Sequence, residues 1–146
     1  MRTCVPLLLG VLLLAACGSS SSSDPGSKNY DPAKTTLHKA GLEVCGAATK
    51  DVPSSISNIQ GLGATRAFYV AKDCNGATTS PNALFVFQFT SVESANSGAT
   101  TIKASLRNAS VIEHYPLVIA SLGPDKDANL AAVQAQLPPA PVVTTG

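Results

Sequence analysis

The side chains best equipped for chemistry are few and widely spaced. Two histidines stand at 38 and 114, and four cysteines at 4, 17, 45 and 74. The one dense polar cluster beside an apolar segment is Glu113-His114-Tyr115. On a strand Glu113 and His114 point to opposite faces, so they cannot work as an acid–base dyad. His38 lies far off in sequence, and His114 reads as a surface or edge residue. No serine sits in a nucleophile-elbow pattern, and no Ser-x-x-Lys, His-Glu-x-x-His or phosphate-binding loop occurs. Asp125-Lys126-Asp127 offers two carboxylates, but no calcium-loop pattern of Gly and Glu follows. Acids favour the start of a helix, and that explains the pair better. Gly61-Leu62-Gly63-Ala64-Thr65-Arg66 imitates the opening of a dinucleotide fingerprint. It lacks the third Gly and precedes a strand instead of following one, so it reads as a turn. Asn108-Ala109-Ser110 matches the N-glycosylation triplet and is taken as a chance match. The expectation is therefore a protein that is not an enzyme, with no catalytic residues, no metal ligands and no cofactor.

Composition narrows the classes further. The chain has 146 residues, room for one domain; 45 % are apolar and 13 % charged, which is not the profile of a disordered chain. The net charge is +1 and there is no Trp among the seven aromatics. Nucleic-acid binding needs clustered cations and stacking platforms, so no nucleic-acid partner is expected.

The start of the chain is the most specific segment. Met1-Arg2 is short and basic, and Val5 to Ala16 is an almost unbroken apolar run of twelve residues. A membrane-spanning helix needs roughly 17–25 such residues, whereas the core of a secretory signal needs fewer. The run ends Leu14-Ala15-Ala16-Cys17, followed by Gly18. This junction resembles the lipobox of bacterial lipoproteins, Leu-(Ala/Ser)-(Gly/Ala)-Cys; the resemblance covers this segment alone. It implies that residues 1–16 are a signal peptide and that the Cys17 thiol takes a diacylglyceryl group and becomes the mature N-terminus. It also implies a palmitate-type membrane anchor and a location at the cell membrane, facing away from the cytoplasm. Each buried methylene contributes about 0.8 kcal/mol, and two or more chains make anchoring durable. An ordinary secreted protein cleaved near Ala16 is the alternative. Cys4 leaves with the signal, as does Arg2, so the mature chain carries no net charge.

Residues 17–30, with Ser19 to Ser23 and Asp24-Pro25-Gly26-Ser27, cannot bury apolar surface and read as a flexible tether. A coil of that kind spans roughly 25 Å, enough to float a domain near the bilayer. Cys45 and Cys74 remain in the mature domain. In an oxidising compartment an even pair reads as a disulfide, and the absence of Cys-x-x-Cys or of His at ligand spacing argues against a redox or metal site.

The elements that would hold these residues can be read from pattern. Asp31-Pro32 to Gly41 brackets a short helix, and Leu42 to Cys45 alternates like a strand. Residues 53–60 form a weak helical stretch ended by Gly61-Leu62-Gly63. Arg66–Cys74 and Leu84–Thr90 read as strands of a hairpin with a long loop. Phe85, Phe87 and Phe89 share one strand face while Leu84 and Val86 occupy the other, the mark of a strand covered on both sides or nearly so. Residues 91–107 form the best helix, with Val92, Ala95, Ala99, Ile102 and Leu106 on one face and Ser91 as cap. Gly98 weakens its middle by about 1 kcal/mol relative to Ala. Two strands flank Pro116, and 125–137 is a last helix with Leu130, Val133 and Leu137 on one face. Residues 31–138 thus form a single α+β domain: a two-layer sandwich, mainly antiparallel, with helices on one face and ferredoxin-like or related topology. Residues 139–146 read as a loose Pro-rich tail. Such a domain on such an anchor points to a binding or interaction module of the cell envelope. Its partners would be the membrane, through the lipid on Cys17, and an envelope protein. A carrier of a small apolar ligand, and an enzyme with dispersed residues, are the alternatives.

Overall fold

A computed structural model describes residues 31–139. The expected signal peptide, Cys17, the expected tether and nearly all of the expected Pro-rich tail lie outside the described residues. Residues 36–139 belong to one compact unit. The elements run α1 (Pro32–Lys39), β1 (Glu43–Ala47), a 3-10 turn (Thr49–Asp51), α2 (Ser54–Ser57), β2 (Leu62–Ala71), β3 (Ala83–Phe89), α3 (Val92–Ser105), β4 (Ser110–His114), β5 (Leu117–Leu122) and α4 (Lys126–Gln134). The five strands form one sheet in the order β1-β2-β3-β5-β4, antiparallel at every pairing. The fold class is therefore α+β, built on an open antiparallel sheet.

β3 lies at the centre because it is apolar on both faces. Phe85 and Phe87 are fully buried on one side and Leu84 on the other. The hairpin β2–β3 pairs Ala67 with Phe85 and Phe68 with Leu84. β4 and β5 pair around Pro116, whose missing N–H suits the turn. The peptide bond Tyr115–Pro116 is cis. β2 starts at Leu62, earlier than its apolar run, because Gly63 is accommodated as a bulge between the Leu62–Phe89 and Ala64–Gln88 pairs. Gly61, at φ +77°, makes the turn before it, so only the first of the two glycines ends the helical stretch.

α3 is specified locally. The Ser94 amide donates to Ser91 Oγ at 3.1 Å and the Ser91 amide donates to Ser94 Oγ at 3.2 Å, a reciprocal cap that satisfies two donors of the first turn. Its buried face carries Ala95, Gly98, Ala99 and Ile102. These pack with Phe85, Phe87, Phe89, Val118 and Ala120 into the main core, which Ile56 of α2 joins. Lys103 of α3 reaches Glu113 on the same side of the sheet, at 2.9 Å.

The opposite face is also covered, and here the arrangement differs from the expectation of helices on one face. Val70, Leu84, Ile119 and Ser121 share that second face by register, and none is more than 1 % exposed. α4 lies there: Asp127 accepts a hydrogen bond from Ser110, which pairs with Ser121, and Leu130 and Val133 are its buried apolar residues. The sheet is thus a middle layer, as the two-faced strand 84–90 required. The physical reason is connectivity. A crossover helix between two strands of a sheet is held to one hand, which fixes its face. α3 is such a crossover, joining β3 to β4 with β5 inserted between them, the split unit of ferredoxin-like folds. α4 is followed by no strand among the described residues, so nothing ties it to the side of α3. The ferredoxin-like expectation holds for that one unit and not for a second crossover.

Gly98 changes meaning in this context. A Cβ at Gly98 would collide with the Phe89 ring, meeting Cε1 at 2.5 Å and Cζ closer still. The glycine is there because the ring needs the space. Gly98→Ala should gain about 1 kcal/mol of helix propensity and lose more through overpacking, about 1–3 kcal/mol. A denaturant titration should show a lower midpoint; a higher one would mean the Phe89 ring moves aside freely.

Candidate functional site

Cys45 and Cys74 are joined, with Cα atoms 5.3 Å apart. Cys45 sits at the irregularity between the Val44–Val70 and Gly46–Tyr69 pairs of β1 and β2. Cys74 lies just past β2, and its amide donates to Glu43 Oε2 at 3.1 Å. The bridge therefore fastens the loop 72–82 back onto β1. The next residue, Gly46, shows how closely the loop returns, since a Cβ there would overlap the carbonyl oxygen of Thr78. The predicted pair is brought together.

The other candidates are dispersed. Glu113 points to the α3 side and bonds Lys103. By strand alternation, His114, half-buried and opposite Leu117 on the edge strand β4, points to the other side. His38 is exposed in the last turn of α1. The two acids before and within α4 are not merely solvated. Asp127 accepts from Ser110. Asp125 accepts from Asn82 Nδ2 at 3.0 Å, and its own amide donates to Asn82 Oδ1 at 3.0 Å. Asn82 is 5 % exposed and uses both ends of its amide on Asp125. Pattern reading missed this residue. Its only signal was an Asn at the mouth of the most apolar strand, and its partner is 43 residues away.

Tyr69 donates its hydroxyl to Asp51 at 2.6 Å. That hydrogen bond first, then partial desolvation and the charge of Asp51, raises the phenol above its ordinary pKa of 10.0. A phenol so held is a poor base or nucleophile at neutral pH; the contact clamps the 3-10 turn to β2. Among the described residues no group of three or more His, Cys, Asp or Glu is placed to hold a metal ion.

Among the described residues, a groove opens to solvent. It lies at the start of α3, has a volume of about 350 Å³, and is lined by Gln60, Gly61, Thr90, Ser91, Glu93, Ser94 and Ser97. The hydroxyls there are largely committed: Ser91 and Ser94 to each other, and Thr90 to the carbonyl of Gly61 at 3.2 Å. Glu93 opposes an anion at the helix start, and neither histidine lines the groove. Its walls mix polar and apolar surface in similar amounts and it stands open to solvent, unlike the enclosed apolar sites of small-ligand carriers.

No protein-family model matches the chain, and neither a curated protein nor a solved structure matches it.

Proposed function

We propose that the protein is a lipid-anchored component of the cell envelope that serves as a binding or interaction module. The observation that carries this is the junction Leu14-Ala15-Ala16-Cys17 at the end of a short apolar run, followed by a Ser-rich spacer. Support for a module over a carrier comes from packing. The Phe85–Phe87–Phe89 face is filled by α3, down to a glycine that gives way to a phenyl ring. The groove at the start of α3 is open to solvent and not enclosed, which suits contact with another macromolecule better than storage of an apolar ligand. The Cys45–Cys74 bridge fits an oxidising compartment. The membrane is the first partner, through Cys17, and an envelope protein the second.

Cys17→Ala should abolish lipid attachment and move the domain from the membrane to the soluble fraction. Intact mass and metabolic labelling with a fatty-acid analogue read the first effect, and fractionation reads the second. Membrane retention of the Cys17→Ala chain at unchanged mass would refute the anchor. Organic extraction of the purified wild type separates module from carrier. A stoichiometric apolar molecule recovered from the domain after removal of its covalent lipid would favour the carrier.

A further inference from the structure

We propose that Asn75 is a spontaneous deamidation site, and that the turn anchored by the Cys45–Cys74 bridge holds its reaction back. Asn75 is the asparagine in this chain that is followed by glycine; the others precede Tyr, Ile, Ala, Ser or Leu. Ring closure requires the next backbone nitrogen to reach the side-chain carbonyl carbon, and any Cβ on the next residue hinders that approach. Gly76 has none, and the space where one would lie is empty to 4 Å. Both residues are exposed, so base and water have access.

The reaction needs nothing beyond water. The Gly76 nitrogen gives its proton to solvent base and attacks Asn75 Cγ. A carbon–nitrogen bond forms, the bond from Cγ to the side-chain nitrogen breaks, and ammonia leaves. Water then opens the succinimide at either carbonyl, to aspartate or to isoaspartate. No oxidation or reduction occurs.

Local geometry sets the rate. The Ala77 amide donates to the Cys74 carbonyl at 2.8 Å, closing a turn with φ +49° at Asn75 and +78° at Gly76. These are type I′ values, for which ψ at the first central residue is about +30°. That angle leaves the Gly76 nitrogen roughly opposite the Asn75 Cβ, whereas ring closure needs the two nearly eclipsed. The turn must open first. Several contacts resist opening: the bridge at Cys74, the Asn75 amide donating to Asp73 Oδ1 at 2.8 Å, and the return of Thr78 onto Gly46. Isoaspartate would insert a methylene into the backbone between the bridge and that return, so the loop could not close as before.

The test is peptide mapping of the full chain, prepared without reductant and incubated at several pH values, with isoaspartate and the amide-to-hydroxyl mass change located by fragmentation. Isoaspartate should appear first at Asn75, faster as pH rises, and Asn75→Gln should stay unmodified there. Ala77→Pro removes the N–H that closes the turn while leaving the bridge, and should react several-fold faster. Cys45→Ser/Cys74→Ser, checked for retained secondary structure, should do the same and assigns the brake to the bridge. Earlier modification at another asparagine overturns the proposal. So does an Ala77→Pro chain, or an unbridged chain with retained secondary structure, that reacts no faster than the wild type.

Discussion

Phe87→Ala is expected to cost about 3–5 kcal/mol, the range for emptying a fully buried phenylalanine site. Phe87 is 0 % exposed and sits between Thr65 and Val118 on the central strand, with Phe85 stacked nearby at 6.3 Å between ring centroids. The site cannot collapse easily. Its neighbours on the sheet are fixed by ladder hydrogen bonds, and α3 above it is held by its cap and by the Gly98–Phe89 contact. The cavity term therefore adds to the transfer term. A denaturant titration at constant slope reads the loss. A change below about 1 kcal/mol would be too small for this burial and would place the face toward solvent or a ligand space, reviving the carrier.

Removal of the bridge by Cys45→Ser/Cys74→Ser is expected to cost about 2–5 kcal/mol. The sequence separation is 29 residues, and in the chain-entropy account a loop of that size contributes about 3.5 kcal/mol through the unfolded state. The native contribution is local: β1 pairs with β2 independently of the bond, and the loop 72–82 keeps the Ser80 Oγ–Val70 carbonyl bond at 2.7 Å. The β3–α4 half of the fold should persist, with its helical signal intact, while the unfolding midpoint falls. Non-reducing mass spectrometry of the wild type should find the two cysteines joined. Free-thiol labelling of both residues in protein isolated without reductant would show that the bridge does not form.

The legible parts of the fold were those governed by local pattern. Alternation placed Phe85, Phe87 and Phe89 on one side of a strand, and period placed Ala95, Ala99 and Ile102 on one side of a helix. The cap at Ser91 and the turn at Pro116 arise from single residues whose backbone preferences are strong. The bridge followed from the expected oxidising compartment and from the two cysteines expected to remain in the domain. The illegible parts depend on distant partners. The face chosen by α4 depends on whether a later strand ties the helix to one side, and on whether Leu130 and Val133 find the second side of the sheet. Its short apolar stripe would fit either side. The apparent weakness of Gly98 was a statement about an isolated helix, and tertiary packing reverses its sign. Asn82 was invisible as a fastening point because an amide can pair with almost anything, and only the folded backbone brings Asp125 to it. The proposed lipidation of Cys17 is the opposite case, since it rests wholly on the linear junction Leu14-Ala15-Ala16-Cys17.

Asn82 also joins two regions that are remote in sequence. Its amide ties the end of the loop 72–82 to the start of α4. On its other side, its backbone N–H donates to Ser80 Oγ at 3.1 Å, and the hydroxyl of Ser80 holds β2 through the Val70 carbonyl. Gly123, at φ +110°, lies so close to Asn82 that a Cβ there would sit 2.5 Å from Asn82 Oδ1. Hinge-like independence of the last helix is therefore denied to this domain. Opening fluctuations of the bridged loop and of the first turn of α4 are thus expected to be coupled. Amide exchange at Asn129, whose N–H donates to the carbonyl of Asp125 at 2.9 Å, would quicken when the loop is loosened tens of residues away. A contact made at the loop by another molecule should in this way be felt in the first turn of α4.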